Sequence, residues 1–389
     1  MRIILITSKL NFVSAGGSVA DLHLKAKGLV DLGHTVTVIT AFSRANNINR
    51  TLPYAVIEEN ITSGHLVAIQ RGVYYILKKY ESFADAFYID GHIFLYGGGM
   101  YRLLGGQTPV AAFFNIRLNC WGDSQGNITN PPLLKRIKKK IRYAIEHWIG
   151  VPIASRLDAF IFNTPMVEKL YVQWGFPKSK STVIEDFVDT TTIRASAKSE
   201  LELKTHHKSA TPVIFFTSGR MIPEKGFDLV IKAFSQLKNK ESFKLIMSGG
   251  GPEHERLAQL TKDLQLEKFI SLPGWVEKQQ LNEFFRTSHV FIFPKWWIEY
   301  GSAILTEAMA FGLPSIIPAG GALEWLSKGA ALSFTPDSAD DLQKKMAQLG
   351  TDHQLRITLA RGTTERVAEL DSLTLASKLE RVLKASAHT

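Results

Sequence analysis

The chain has 389 residues, 45% hydrophobic and 21% charged, a globular composition long enough for two domains. Its single cysteine, Cys120, excludes a disulfide framework and a cysteine-ligated zinc site, and fits a reducing compartment. The formal net charge of +10 is concentrated: residues 131–150 carry Lys135, Arg136, Lys138, Lys139, Lys140 and Arg142 against Glu146, half of the whole excess, which suits a phosphate-bearing partner.

The run "MRIILITSKL" is too short for a signal peptide or a membrane span, and no later apolar stretch reaches spanning length, so a cytoplasmic protein is expected. "RIILITS" (2–8) reads as a buried strand. A glycine loop, Ser18 as N-cap, a helix and Gly33 as its stop follow, and "HTVTVIT" is the next strand. This βαβ unit predicts a parallel sheet.

The basic stretch "LLKRIKKKIRYAIEHWIG" sets Leu134, Ile137, Ile141 and Ile145 at helical spacing, continued by Trp148 and Ile149. Two readings stay open. The helix lies on an anionic membrane surface, or it packs its stripe on its own domain with the lysines in water. No aromatic-interleaved basic motif or recognition-helix pattern is present, so nucleic acid is not an expected partner.

The αβ rhythm returns after residue 212. "PVIFFTS" is a strand, "GFDLVIKAFSQLK" a helix with Phe227, Val230, Phe234 and Leu237 on one face, and "FKLIMSGGG" a strand entering a glycine turn. "PEHERLAQLTKDL" is a helix with Pro252 in its first turn; "HVFIFPK", "PSIIPA" and "AALSF" are further strands. The expected architecture is α/β with two Rossmann-like parallel-sheet domains facing across a cleft. The acceptor-side domain spans 1–190, a polar linker 191–211 and the donor-side domain 212–369, with a helix over 370–389 that packs back on the first domain.

Three loops carry candidate chemistry. In "SGRMIPEKGFDLV" (218–230), Arg220 and Lys225 stand between a strand end and a helix, where two cations and helix N–H groups can grip a diphosphate; the bland reading is two solvated charges. In "SGGGPEHERL", glycines allow close approach of backbone to a ligand, or simply make a tight turn. In "IEYGSAILTEAMAFGLP" (298–314), Glu299 precedes a short helix starting near Ser302 and Glu307 lies inside it. Two carboxylates for hydroxyls with a helix N-terminus between them for phosphates suit a nucleotide-sugar; the bland reading makes Glu307 a buried structural carboxylate. "SAGGSVAD" lacks the dinucleotide spacing and no acidic residue ends the second strand, which disfavours a nicotinamide enzyme.

Residues 212–345 resemble the donor domain of the retaining GT-B glycosyltransferases of the GT4 type. "GRMIPEKG", "SGGGP", "GWV" (274–276) and "EYGSAILTEAMAFGLP" match that family's linked motifs in order, and "GGS", "LGHTVTVIT" and "VIEDFVD" extend the likeness over nearly the whole chain. The resemblance implies that Arg220 and Lys225 hold a donor diphosphate and that Glu307 binds ribose. It implies that Glu299 touches the donor sugar near the anomeric centre, and that Gly250, Gly301 and Ser302 belong to the donor-binding residues. Gly16 and Gly17 would approach the phosphates, and Val276 would meet the base through its backbone. The implied reaction is a metal-independent hexosyl transfer with retention, using a UDP- or GDP-linked sugar as co-substrate and no cofactor. Its implied acceptor is a glycan or lipid-linked saccharide in cell-surface polysaccharide assembly, handled on the inner face of the cytoplasmic membrane. Two departures stand out. Asn115 occupies the place of a family histidine, unless His92 supplies the imidazole, and Ser302 takes a usual glycine position. A nucleotide-sugar epimerase of the same shape and a nucleotide-binding protein without chemistry are the alternatives.

Overall fold

The computed structural model describes residues 1–12, 17–62, 64–116, 133–197, 199, 202, 212–294 and 301–387, with only the backbone of 133–136 and 139. The chain divides into two compact units, residues 1–188 with 372–389, and residues 189–371.

The first unit holds β1 (Arg2–Thr7), α1 (Gly17–Asp31), β2 (Thr35–Thr40), β3 (Ala55–Glu58), α2 (Leu66–Tyr80), β4 (Ala86–Asp90), α3 (Gly91–Leu103) and β5 (Val110–Phe114). It continues with α4 (Leu133–Ile145), a wide π-turn over Glu146–Gly150, α5 (Val151–Ala154), β6 (Ala159–Phe162), α6 (Pro165–Gln173) and β7 (Ser181–Val183). Among the described residues its sheet has seven strands, all parallel, in the order β3-β2-β1-β4-β5-β6-β7. Strands covered on both faces need apolar residues on both, and β5 is buried at every position of "VAAFF".

In the second unit a short helix, α7 (Thr190–Ser196), is capped by the Asp189 carboxylate, which accepts from Thr192 N. Then follow β8 (Val213–Ser218), α8 (Phe227–Ser235), β9 (Phe243–Ser248), α9 (His254–Asp263), β10 (Ile270–Gly274), α10 (Lys278–Thr287), β11 (Val290–Ile292) and α11 (Ala303–Ala310). The unit closes with β12 (Ser315–Pro318), α12 (Ala322–Ser327), β13 (Ala331–Phe334), α13 (Ala339–Thr351) and α14 (His353–Glu369). Its parallel sheet runs β10-β9-β8-β11-β12-β13. Phe227, Val230, Ile231 and Phe234 of α8 are buried in its core, as their spacing in the sequence requires.

The last helix, α15 (Ser372–Ala387), returns to the first unit and buries Leu375, Ala376, Leu379 and Leu383 in the core that α1 covers. The sequence expectations need two corrections. The first helix begins at Gly17, so Ser18 sits inside its first turn and does not cap it. The helix expected from Pro252 begins at His254, two residues on, because Glu253 N is engaged by Met221 O and the chain turns before it coils.

Candidate functional site

In an open parallel sheet, loops at the carboxyl ends of strands share one edge, and ligands gather where strand order reverses. In the second unit that reversal lies between β8 and β11. The loops that follow β8, β9, β10 and β11 carry Arg220 and Lys225, Gly250, Val276, and the Gly301–Ser302 start of α11. The sheet alone therefore brings four separated sequence motifs to one edge.

Backbone hydrogen bonds stitch the first three loops together. Gly219 N donates to Ser248 O at 3.1 Å, Met221 N to Gly250 O at 2.9 Å and Gly249 N to Gly274 O at 2.7 Å. Contacts this close leave no room for side chains. At Gly249 a Cβ would overlap Gly219 O, and at Gly251 it would overlap Met221 O; both sit at positive φ, +131° and +151°. Glycine at 249 and 251 is thus a requirement of loop-to-loop contact, whereas a Cβ at Gly250 would meet only Trp275 at ordinary distance; Arg220 stands exposed at the end of the stitched strand edge. Lys225 lies in a single 3₁₀ turn closed by Gly226 in the left-handed region, with Nζ 5.9 Å from the Phe293 ring just past β11.

Ser302 caps α11, its Oγ accepting from Leu305 N at 3.2 Å. The cap fixes where the helix starts and aims its first-turn N–H groups at the sheet edge. One and a half turns in, the Glu307 carboxylate is held by Lys278 Nζ at 2.8 Å, at the first residue of α10. Glu307 is therefore not a carboxylate sealed in the core: its side chain keeps partial exposure, with the Lys278 ammonium against it. Lys278 carries no signal in the sequence that would mark it. Trp275, exposed beside Val276 and within reach of Gly250, is a second residue that motif reading passes over; an exposed tryptophan at a ligand edge is its only clue. Glu299 lies outside the described residues, as does Gly16.

In the first unit the strand order reverses between β1 and β4. Gly17 opens α1 after β1, and Asn115 directly follows β5. His92 follows β4, whose Asp90 pairs in register with Phe113 of β5, so His92 and Asn115 emerge from neighbouring strand ends. Sequence reading treated the two as rivals for one place; the sheet sets them side by side. Thr7 Oγ1 donates to Asp90 Oδ2 at 2.6 Å. Burial pushes the Asp90 carboxyl above its usual range and the His92 imidazole below its own, and His92 Nδ1 is buried with no hydrogen-bond partner. Below this edge lies a charge cluster that the sequence did not announce. Lys25 Nζ binds Asp21 Oδ2 at 2.5 Å and sits 3.2 Å above the Phe113 ring; Asp21 Oδ1 accepts from Phe187 N at 2.7 Å; Asn163 Nδ2 donates to Asp186 Oδ2 at 2.9 Å. Burial pushes Asp186 up to about 6, with Asp21 adding to the rise.

Of the basic stretch, Lys138, Lys140 and Arg142 are exposed on α4, whereas the side chains of Lys135, Arg136 and Lys139 lie outside the described residues. No helix among the described residues is long and apolar enough to cross a membrane.

Comparison with known proteins bears on both units. The family model for Glycosyltransferase Family 4 matches residues 15–192, and that for Glycosyl transferases group 1 matches residues 199–366. The GDP-mannose-dependent alpha-(1-6)-phosphatidylinositol monomannoside mannosyltransferase of Mycobacterium tuberculosis is 26% identical over 61% of this chain and 66% of its own length. The colanic acid biosynthesis glycosyltransferase WcaL of Escherichia coli, itself assigned only putatively, is 30% identical over 28% of each chain. The match thus spans less than two thirds of either relative. The crystal structure of HepE from Anabaena with UDP and glucose superposes with a TM-score of 0.72 at 18% identity, covering 99% of this chain and 100% of that one, which speaks for the fold.

Proposed function

Since the chain belongs to the GT4-type glycosyltransferases and carries their GT-B fold, we propose that it transfers a hexose from a nucleotide-diphosphate sugar with retention at the anomeric carbon. The acceptor in this reading is a glycan or lipid-linked saccharide of a cell-surface polysaccharide, reached at the inner face of the cytoplasmic membrane. The mannosyltransferase that acts on a phosphatidylinositol glycolipid and the colanic acid relative support that acceptor class.

One observation carries the donor half of the reading: four loops converge on the carboxyl edge of the β8–β11 sheet with complementary chemistry. Arg220 and Lys225 supply cations for a diphosphate, the capped N-terminus of α11 supplies N–H groups, and Glu307 supplies an acceptor for ribose hydroxyls. Val276 follows β10 where a base would meet backbone, so side chains would not select the base. Cations and helix N–H groups aimed at the departing diphosphate stabilise its charge without a metal ion. Glu299 and Asn115 are assigned to the reacting sugar, Glu299 at the anomeric centre and Asn115 as a hydroxyl-binding amide. In the first unit Gly16 and Gly17 are assigned to the phosphates.

The test is a thermal-shift and mass-spectrometry panel of nucleotide-sugars on the wild type, Glu307→Ala and Lys225→Ala. Stabilisation by one nucleotide family, weakened at least tenfold in apparent affinity in both variants, is expected, since a hydrogen bond to a charged group is worth about 1.5–3 kcal/mol. Slow hydrolysis of one sugar would name the donor. Conversion of the donor to another sugar without acceptor would make the protein an epimerase, and binding without turnover would make it a non-catalytic nucleotide binder. No shift with any nucleotide would overturn the donor site.

A further inference from the structure

The outward face of α4 and its π-turn has the wrong chemistry for water. Ile137, Ile141, Ile145, Trp148 and Ile149 form one continuous stripe, and each is between 44 and 75% exposed. The opposite face is the one that meets the protein. Glu146 and Gly150 are buried there, Tyr143 packs edge-on against Trp174 at 4.2 Å, and His147 contacts the same indole at 5.5 Å. An ordinary surface helix turns its apolar stripe inward and its polar residues outward. This helix does the reverse, burying a glutamate and presenting four aliphatic side chains and a tryptophan. Five adjacent exposed apolar residues make a contiguous patch of the kind that marks an interaction surface.

Charge says what the patch meets. Lys138 and Lys140 are exposed on the flanks of the stripe, Arg142 half-exposed beside Glu146, and residues 131–145 contain no acidic residue. A protein partner would have to bring both a hydrophobic groove and an acidic rim. An anionic bilayer offers both at once, an acyl boundary for the isoleucines and a headgroup layer for the lysines, with the Trp148 indole at the depth where tryptophan prefers to lie. The wide turn at Glu146–Gly150 matters here: it adds a residue to the helix just where Ile145 gives way to Trp148 and Ile149, which keeps them on the stripe.

We propose that α4 and the following π-turn form an in-plane membrane-docking face, with Ile141, Ile145, Trp148 and Ile149 entering the interface of an anionic bilayer and Lys138 and Lys140 in its headgroups. The inference names the surface by which the first unit would reach a lipid-linked acceptor. It leans on the proposed function for that purpose, but not for the docking itself, which follows from the exposed face alone.

The test is flotation of the full chain with vesicles of phosphatidylcholine alone and with about a third phosphatidylglycerol, beside Ile141→Glu/Trp148→Glu and Lys138→Glu/Lys140→Glu. Nucleotide-induced thermal shift is read on every protein without vesicles. The expected result is flotation with the anionic vesicles only, reduced about tenfold or more by each double variant and by raised salt, with the nucleotide shift of Ile141→Glu/Trp148→Glu unchanged. Because the substituted side chains are exposed, an unchanged unfolding transition is expected, and the lysine variant carries the test where the apolar one unfolds early. Absence of flotation, flotation indifferent to both variants, or a concentration-dependent dimer abolished by Ile141→Glu/Trp148→Glu would each overturn the proposal, the last by naming a second copy as the occupant. Flotation without any nucleotide shift would leave docking standing and remove the donor reading.

Discussion

Asp186 sits where a carboxylate is costly: buried among the Asp21–Lys25 pair and Glu185, with one hydrogen bond from Asn163. Its carboxyl is pushed up to about 6, with burial the larger cause. A folded-state value above the unfolded one means that the native state binds the extra proton between about pH 4 and 6. Stability from this group is therefore present at low pH and is lost as pH rises through 6. A rise from the ordinary aspartate value to about 6 corresponds to at most about 3 kcal/mol. Asp186→Asn removes the titration, and its amide N–H₂ can meet the Asn163 Oδ1 that is buried without a partner. The expected outcome is that urea-derived stabilities of wild type and variant converge near pH 4 and separate, with the variant higher, toward pH 7. Parallel curves across that range would show that Asp186 ionises as an ordinary surface acid. None of this was legible in "VIEDFVD", because the cost of a carboxylate depends on what three remote segments place around it. The helix that carries Glu307 was legible because its punctuation is local, the Ser302 cap and the Gly312 stop, whereas the Lys278 ammonium that holds the Glu307 carboxylate was not.

Most strands and the helix after Ser302 were legible from local runs and turn residues, but local punctuation misplaced two helix starts, at Ser18 and at Pro252. The strands β1, β2, β8, β9, β12 and β13 follow from short apolar runs bounded by turn residues, and α11 follows from Ser302 and Gly312. For α4, periodicity identified which residues share a face but not what the face meets; only the packing of Tyr143, Glu146 and His147 against the domain decides that the isoleucines point outward. Likewise the last helix was visible as a helix, while its close seat on α1 depends on two small residues far apart in sequence. A Cβ added at Gly28 would lie 2.7 Å from the Ala376 Cβ, so the two helices touch through a hydrogen on one side and a methyl on the other. Gly28→Val is expected to push α15 off, loosening Leu375, Leu379 and Leu383, at a cost of about 1–3 kcal/mol for overpacking. Thermal unfolding checks the magnitude. Ala376→Gly should recover part of the loss by returning the space, whereas a variant whose defect were only helix propensity would be worsened by a second glycine.

At the scale of the whole chain, two units with separate cores should answer a ligand unequally. The nucleotide contacts proposed in the second unit lie on loops after β8, β9 and β10, which are tied to one another by backbone hydrogen bonds, and on α11. A nucleoside diphosphate at about a hundred times its dissociation constant stabilises whatever cooperative unit binds it by about 2.7 kcal/mol. For a domain of 150–250 residues that is a rise of roughly 5–10 °C. Hydrogen exchange with and without the diphosphate should then show slowed exchange in residues 219–226, 249–253, 274–278 and 301–307. Strands β1 to β7 should be left largely unchanged. Protection that spread evenly over both sheets would mean that the two cores unfold as one, and protection confined to the first unit would move the donor to the edge where His92 and Asn115 stand. The +10 charge bears on the same experiment. Free phosphate at equal ionic strength should give no comparable local protection, since a general anion effect would follow the basic stretch at 131–150 and not the stitched loops of the second sheet.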